Sequence, residues 1–356
     1  MDFAATLLHW YDENKRPLAF RATTDPYKIW LSEIILQQTR VEQGMPYYHS
    51  FTNAYPTIVD LANAHEDAVM RLWQGLGYYS RARNLHQTAK IVAIDYNGKF
   101  PGTYAEIAAL KGIGPYTAGA IASIAFAEKA AAVDGNVFRF LSRYFGIDTP
   151  VPSEKARKEF STIVLDLMGN HHSGTFNQAL IEFGALQCKP QSPACLLCPF
   201  NTTCFALHNG KVAELPVKNK AAASKNRYFH YFIIKNKKQL LLQQRTAKDI
   251  WQQLYEFPLV ETGPHPLPFS RGEKGVIFNG QEVADYLAKN KVDLIPVGEP
   301  IKHVLSHQNI YTGFYVLNVA GKLPSLPNGF AVDIVNLDNY GLPRVITLFL
   351  EKNNIG

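Results

Sequence analysis

At 356 residues, with 47% apolar and 19% charged side chains, the chain is long enough for two domains with cores of their own and has the balance of an ordinary globular protein, which excludes a disordered or collagen-like chain. No uninterrupted apolar run reaches the ~18 residues of a membrane span, and the start, MDFAATLLHWYDENKR, has neither the basic lead-in nor the small-residue cleavage site of a secretory signal, so a soluble cytoplasmic protein with no membrane contact is expected. The net charge of +6 lies wholly in residues 216–356, because residues 1–215 carry 19 basic and 19 acidic side chains; that first part would have to hold a polyanion with a local patch or with backbone amides.

Residues 1 to about 210 read as helix after helix, with almost no period-two alternation. Asp25-Pro26 supplies an N-cap and a first-turn proline for a helix running to about Gln43. Further helices are expected near 57–74, 80–97, 115–127, 136–145, 154–169 and 174–187, separated by glycine breaks such as Gly75-Leu76-Gly77 and Gly112-Ile113-Gly114. A polar stretch from Pro216 to Asn226, rich in lysine, alanine and asparagine, has the signature of a linker. Beyond it Tyr228 to Ile234 and Gln239 to Arg245 read as paired strands, and Ile310 to Val319 as another. Gln281 to Asn290 and Pro343 to Lys352 read as helices, which makes the second part mixed α+β.

All four cysteines, Cys188, Cys195, Cys198 and Cys204, fall in one short segment with the spacing C-x6-C-x2-C-x5-C. Clustered cysteines in an intracellular chain point to a metal rather than to disulfides. Structural zinc sites bring two short knuckles, and only one is present, so a cluster with one thiolate per iron fits better, with zinc left open.

Other residues have both a plain and a chemical reading. The Gly112-Ile113-Gly114 turn joins two helices; with uncovered amides and the positive end of the next helix it makes a phosphate seat, or else a bland turn. Glu33 lies mid-helix with Ile29, Trp30, Leu36 and Gln37 one turn away, where lost hydration would raise its pKa and suit a general acid; the alternative is a glutamate reaching solvent at the margin of the stripe. Asp134 precedes a helix start and by itself reads as an N-cap. Tyr78 and Tyr79 beside Arg81 and Arg83 offer stacking with phosphate contact, or core packing of one tyrosine.

Six segments in series, LSEIILQQTRV, LWQGLGYYSRARNL, LKGIGPYTAGAI, VDGNVFRFLSR, FNQALIEFGALQC and the four-cysteine loop, resemble the endonuclease III-type helix-hairpin-helix glycosylases, and among them most closely the MutY-type adenine DNA glycosylases. The resemblance implies a multidomain architecture: an all-α helix-hairpin-helix glycosylase domain over 1–213 with a [4Fe-4S] cluster in the loop 188–204, a linker over 214–226, and an α+β MutT/Nudix-like lesion-recognition domain over 227–356. Trp251 to Pro258 matches the family's Trp…Phe-Pro segment, whereas the carboxylates of the Nudix helix are missing after it, so the second domain is expected to read DNA and not to hydrolyse pyrophosphates.

By the same resemblance Glu33 protonates N7 of a flipped adenine, Asp134 stabilises the oxocarbenium-like sugar, and Tyr116 and Asn136 support them. Tyr116 stands where bifunctional relatives carry a Schiff-base lysine, which implies base excision with little or no lyase step. Gln38 and Tyr78 match residues that wedge into the duplex, with Gly112 and Gly114 on the phosphates; Arg21, Leu36 and Gln178 belong with the adenine, and Ser306 and His307 with the opposite base. The implied partner is double-stranded DNA with adenine opposite 8-oxoguanine or guanine, handled by a bacterial, nucleoid-associated monomer. Four positions depart from the family: Ala19 and Phe20 replace the proline and tryptophan of Pro-Trp-Arg, Lys111 a proline, and Leu305 a phenylalanine. Two other readings remain, a bifunctional endonuclease III-type glycosylase/lyase and a non-catalytic DNA-binding protein with a structural cluster.

Overall fold

The computed structural model describes residues 2–219, 224–263, 277–290 and 295–353. Twelve α-helices precede the strands among these residues: α1 (Phe3–Asn14), α2 (Pro26–Leu36), α3 (Val41–Ala54), α4 (Ile58–Asn63), α5 (Glu66–Leu72), α6 (Ser80–Asp95), α7 (Tyr104–Ala109), α8 (Pro115–Phe126), α9 (Gly135–Phe145), α10 (Glu154–Met168), α11 (Ser173–Leu186) and α12 (Phe205–His208). By the density of its contacts the chain divides into two compact units, Met1–Asn63 with Asn84–Lys220, and Ala64–Arg83 with Ala221–Gly356.

Asp25 caps α2, accepting from Tyr27 N–H at 3.0 Å with Pro26 at the first helical position. The helix stops at Leu36 and not near Gln43, because Gln37 turns to an extended ψ of 115° and Gln38 takes a left-handed φ of 55°; α3 then starts a new direction. Likewise the stretch 57–74 is two helices, α4 and α5, with His65 capping the second. Within the first unit α8 packs against α2, α7 and α11 through Ala118, Ala120, Ile121 and Ala122, all fully buried small or branched residues that let helices approach closely. A second cluster joins α1, α9, α10 and α11 through Leu7, Phe140, Leu141, Phe160, Phe176 and Phe183, with Phe200 from the cysteine loop completing it.

Residues 214–219, expected as linker, lie along the same unit: Val151 N–H donates to Val217 O at 2.8 Å, Val151 and Lys218 form a parallel bridge, and Asn219 Nδ2 reaches Pro152 O at 2.9 Å. A polar sequence there supplies backbone partners rather than slack. Residues 264–276, which follow the expected site of the missing Nudix carboxylates, lie outside the described residues.

The second unit carries a mixed sheet whose described strands are β1 (Lys225–Lys235), β2 (Gln239–Gln244), β3 (Tyr255–Glu256), β4 (Leu259–Thr262), β5 (Ile277–Asn279), β6 (Ile295–Pro296), β7 (Ile301–Val304), β8 (Gln308–Asn318) and β9 (Gly329–Asp333), with α13 (Gln281–Lys289) and α14 (Arg344–Asn353). β1 is central, running parallel to β8 in an unbroken register from Lys225↔Gln308 to Lys235↔Asn318 and antiparallel to β2 and β4. Its alternation divides the faces: Phe232 and Ile234 pack with Val260, Val283 and Leu287 under α13, while Tyr231 stacks on Phe314, whose ring lies 3.8 Å from that of Phe349 of α14. The segment 64–83 groups with this unit because Asp67 accepts from the Tyr255 hydroxyl at 3.2 Å and Arg83 donates to Gln252 O at 2.6 Å. Among the described residues no helix is long and apolar enough to cross a membrane.

Candidate active site and cysteine cavity

Asp134 begins α9 as its N-cap. Its Oδ1 accepts from Asn136 N–H at 2.9 Å and Val137 N–H at 2.8 Å, and its Oδ2 accepts from Asn136 Nδ2 at 2.7 Å. Burial raises its pKa, while the Val137 and Asn136 donors and the Arg139 charge act against that rise. The capping role and a chemical role are therefore not alternatives, since the same donors hold a partly buried carboxylate in place.

Glu33 lies on α2, and burial pushes its carboxyl up to about 7; the Tyr116 hydroxyl, which donates to it, and Arg21 oppose the rise, and the Asp134 charge adds to it. The apolar stripe read in the sequence thus strips much of the water from a carboxyl that is partly buried and opens only onto a cavity. Tyr116 itself is held well above its ordinary value by burial and by Glu33.

One cavity of about 840 Å³ gathers Arg21, Glu33, Leu36, Gln38, Tyr116, Asp134, Asn136 and Gln178, so eight of the nominated residues share a wall. Phe20 also lines it, edge-on to Tyr48. The Tyr11 hydroxyl donates to Gln178 Oε1 at 2.9 Å, which leaves the Gln178 amide hydrogens for the cavity. Among the described residues no lysine lines it; Lys111 instead donates to Gln87 on the hairpin. Asp134, Tyr116 and Arg139 also border a second cavity of about 780 Å³, whose wall includes Gly114, Pro115, Arg157 and Lys218.

The hairpin between α7 and α8 starts with a capping box at Thr103 and Glu106 and turns at Gly112, whose φ of 76° and close approach to Asn84 admit no side chain. Gly114 caps α8, with Pro115 at its first position, so the helix starts with its amides open. Gln38, with its left-handed backbone, is exposed beside the cavity.

In the second unit, Tyr78 has φ 48° and is 45% exposed, and its hydroxyl donates to Ser306 Oγ at 3.0 Å. Ser306 and His307 form the exposed turn between β7 and β8. Two residues nominated separately, one for wedging and one for reading the opposite base, are in this way brought together. Tyr79 is core, at 4% exposure. Arg81 and Arg83 depart from the expected phosphate contacts: Arg81 is buried, donating to Leu76 O and Gly77 O against Trp73, and Arg83 is spent on Gln252 O.

The four cysteines line one small cavity of about 30 Å³ with Phe140, Phe183 and Phe200. Arg143 of α9 donates to Cys188 Sγ at 3.5 Å and to Lys189 O and Pro190 O, while Arg139 of the same helix donates to Cys188 O at 2.8 Å and to Asn136 Oδ1 at 2.8 Å. Burial raises the thiols of Cys188, Cys195 and Cys198. Among the described residues no three His, Cys, Asp or Glu side chains are grouped as ligands of a metal ion. Sequence reasoning missed Arg139 and Arg16, and it missed Glu182, whose only signal is an acid inside the apolar run Ala179 to Gly184.

Residues 31–164 match the family described as HhH-GPD superfamily base excision DNA repair protein, and residues 230–352 match the NUDIX domain. The class is accordingly a base excision repair protein of helix-hairpin-helix fold followed by a Nudix-like domain with a mixed sheet. A solved structure of a thermostable thymine-DNA glycosylase superposes with a TM-score of 0.53 at 28% identity, covering 58% of this chain and 95% of that one. An adenine DNA glycosylase of Buchnera aphidicola subsp. Baizongia pistaciae is 34% identical over 358 residues, spanning 98% of this chain and 96% of that protein. The human adenine DNA glycosylase is 40% identical over 231 residues, 62% of this chain and 42% of that protein. The chain belongs to the adenine DNA glycosylase family and is a DNA glycosylase of base excision repair.

Proposed function

We propose that this enzyme hydrolyses the N-glycosidic bond of adenine placed opposite 8-oxoguanine or guanine in duplex DNA, with Glu33 as general acid and Asp134 as stabiliser of the sugar cation. The observation that carries the reading is that both carboxyls face one cavity, each raised by burial but held by different donors, a phenol on Glu33 and three N–H groups on Asp134. Glu33, at about 7, holds a proton near neutrality and can give it to N7 of a flipped adenine, turning the base into a neutral leaving group. Asp134, fixed by three N–H donors at a helix N-terminus, keeps a negative charge in position beneath a positive sugar. Flipping costs a few kcal/mol of unstacking, which Gln38 and Tyr78 would offset as wedges. Tyr116 and Asn136 support the pair, Arg21, Leu36 and Gln178 form the adenine pocket, and Ser306 with His307 faces the base opposite. Gly112 and Gly114 seat phosphate through backbone amides, which answers the neutral charge of the first 215 residues.

Tyr116 stands where bifunctional relatives carry a Schiff-base lysine, and among the described residues no lysine lines the cavity that holds Glu33, which supports reading the enzyme as monofunctional. Cys188, Cys195, Cys198 and Cys204 would hold a [4Fe-4S] cluster: all four thiols line one cavity, which is compatible with one thiolate per iron. When bound it supplies a fold staple, and Arg143 and Arg139 tie that loop to α9. The reading includes a monomer acting at the bacterial nucleoid, with a helical catalytic domain and a Nudix-like domain that reads the lesion.

Single-turnover adenine release from a duplex with adenine opposite 8-oxoguanine, read with and without alkali, tests it. Release with strand breaks only after alkali, abolished by Glu33→Gln, is the expected result. Breaks without alkali would replace it with a glycosylase/lyase, and tight binding without release would leave only a DNA-binding protein.

A further inference from the structure

Glu182 of α11 has a fully buried side chain and two arginine partners. Arg21 donates Nη1 to Oε1 at 2.8 Å and Nη2 to Oε2 at 2.7 Å. Arg16 donates Nε to Oε1 at 2.8 Å, Nη2 to Oε2 at 2.7 Å, and its backbone N–H to Oε1 at 3.0 Å. Arg21 also reaches Arg16 O at 3.1 Å. Both guanidiniums line the cavity that holds Glu33, and Glu182 stands behind them without lining it. A buried ion pair is weak evidence of stability, because desolvation cancels much of the attraction, so such a clamp at the wall of a reaction cavity needs another reason.

We propose that Glu182 is a positioning residue for base excision: it fixes the Arg21 guanidinium against the base cavity and offsets the arginine charge there, so that a cation faces the base without stripping the proton from Glu33. The proposal rests on the reading of Glu33 as the acid. Burial alone would lift the Glu182 carboxyl, but the hydrogen bonds of Arg21 and Arg16 hold it at about 2, so it is ionised throughout the working range. The groups facing Glu33 are Tyr116 from α8, Asp134 at the start of α9, Arg21 from the turn before α2, and neutral Gln178 from α11; Arg16, Arg40, Glu42 and Arg139 complete the charged wall. Of these, Arg21 is the cation that acts against protonation of Glu33. Removing the Glu182 charge leaves Arg21 and Arg16 unbalanced and lowers the Glu33 pKa; removing the Arg16 charge leaves a stronger offset and raises it.

The test is the pH profile of single-turnover adenine release by the full-length holoenzyme between pH 5 and 9. In Glu182→Gln the fall in rate above neutrality begins roughly one pH unit lower, a loss of about tenfold at pH 8 that fades at pH 5.5. Arg16→Gln moves the fall the other way, and Glu182→Asp, which keeps the charge, leaves its midpoint in place. A uniform loss at every pH with an unmoved midpoint would reduce Glu182 to a strut and overturn the proposal. Should Glu182→Gln not fold, Arg16→Gln decides alone, since its side chain is only partly buried, and a midpoint that stays or moves down overturns it. Titration of the Glu33 carboxyl by 13C NMR, assigned by its loss in Glu33→Gln, separates two failures. A Glu33 pKa indifferent to Glu182 sinks this inference, whereas a Glu33→Gln protein that still excises adenine sinks the acid assignment.

Discussion

In the helical unit Glu33 and Asp134 are partly buried, with a phenol, a side-chain amide and backbone N–H groups as their hydrogen-bond donors, whereas in the other unit Asp249, Glu256 and Glu261 are covered by guanidiniums. Arg227 is bidentate to Glu261 at 2.7 Å and to Asp249 at 2.8 Å; Arg245 gives Nη1 to both oxygens of Glu256 and Nη2 to Asp249. Burial is the largest single influence on Asp249 and pushes it up, but the Arg227 hydrogen bond, the Ile250 N–H and the charges of Arg227 and Arg245 together outweigh it and the carboxyl ends below its ordinary value, while Glu33 ends near neutrality. Two sets of acids on one chain therefore differ in what covers them. The phenol over Glu33 leaves a carboxyl able to exchange a proton near pH 7, and the paired guanidiniums on Asp249 remove that ability, while Glu256, fully enclosed, is raised by burial even against Arg245.

The strongest way to break this contrast is Glu33→Gln. Loss of a general acid is expected to slow adenine release by about 10²–10⁴-fold in single-turnover assays. The same variant should gain stability above neutrality. A folded pKa of about 7, above the ordinary value of 4.5, means that the wild type loses stability as pH rises through that window, by up to roughly 3 kcal/mol. Urea melts of both proteins at pH 5 and pH 8 would show the gap opening only at the higher pH.

Glu256→Gln should do the reverse, destabilising the second unit by about 1–3 kcal/mol, because Arg245 loses its buried carboxylate partner and keeps only Asp249 and the Ile250 carbonyl. A stabilised Glu256→Gln protein would erase the distinction between the two sets. In the wild type, the excision rate above pH 7 should fall about tenfold per pH unit as Glu33 loses its proton, a slope read directly from the rate profile. Arg143→Gln strips the guanidinium from Cys188 Sγ and the two carbonyls beyond it; iron retention against a chelator should weaken by about 10–100-fold, followed by the colour of the protein. The smallest effect is expected from Ser306→Ala. Its hydroxyl is exposed and accepts one hydrogen bond from Tyr78, so preference for 8-oxoguanine over guanine should change by about 0.5–1.5 kcal/mol in binding assays.

The helical half was legible because it depends on local pattern, and so were the local settings of the two carboxyls, whose proposed roles came from the resemblance and not from the pattern. Glu33 sits in an apolar stripe and Asp134 stands before a helix, and each retains that role in the fold. Breaks forced by single residues were not legible: Gln38 carries no sign that its φ is positive, so the helix from Asp25 was drawn too long. Pairing at long range was equally hidden. Glu182 has the same sequence setting as Glu33, an acid among apolar neighbours, yet meets Arg16 and Arg21 more than 160 residues away and is held at about 2, whereas Glu33 is pushed up to about 7. The arginines following Tyr79 misled for a related reason, since a basic side chain in a DNA-reading motif looks the same whether it faces solvent or, like Arg81, caps carbonyls in the interior.

Gly184 of α11 touches neither cavity wall, but a methyl group on it would sit 2.5 Å from Asn136 O and 2.7 Å from Asn136 Cβ. The start of α9, with the Asp134 cap, would have to shift to admit it. A position that touches no cavity wall thereby constrains one of its carboxyls: a Gly184→Ala chain is expected to fold but to displace the Asp134 cap, and a survey confined to residues that line the cavity would pass it as harmless.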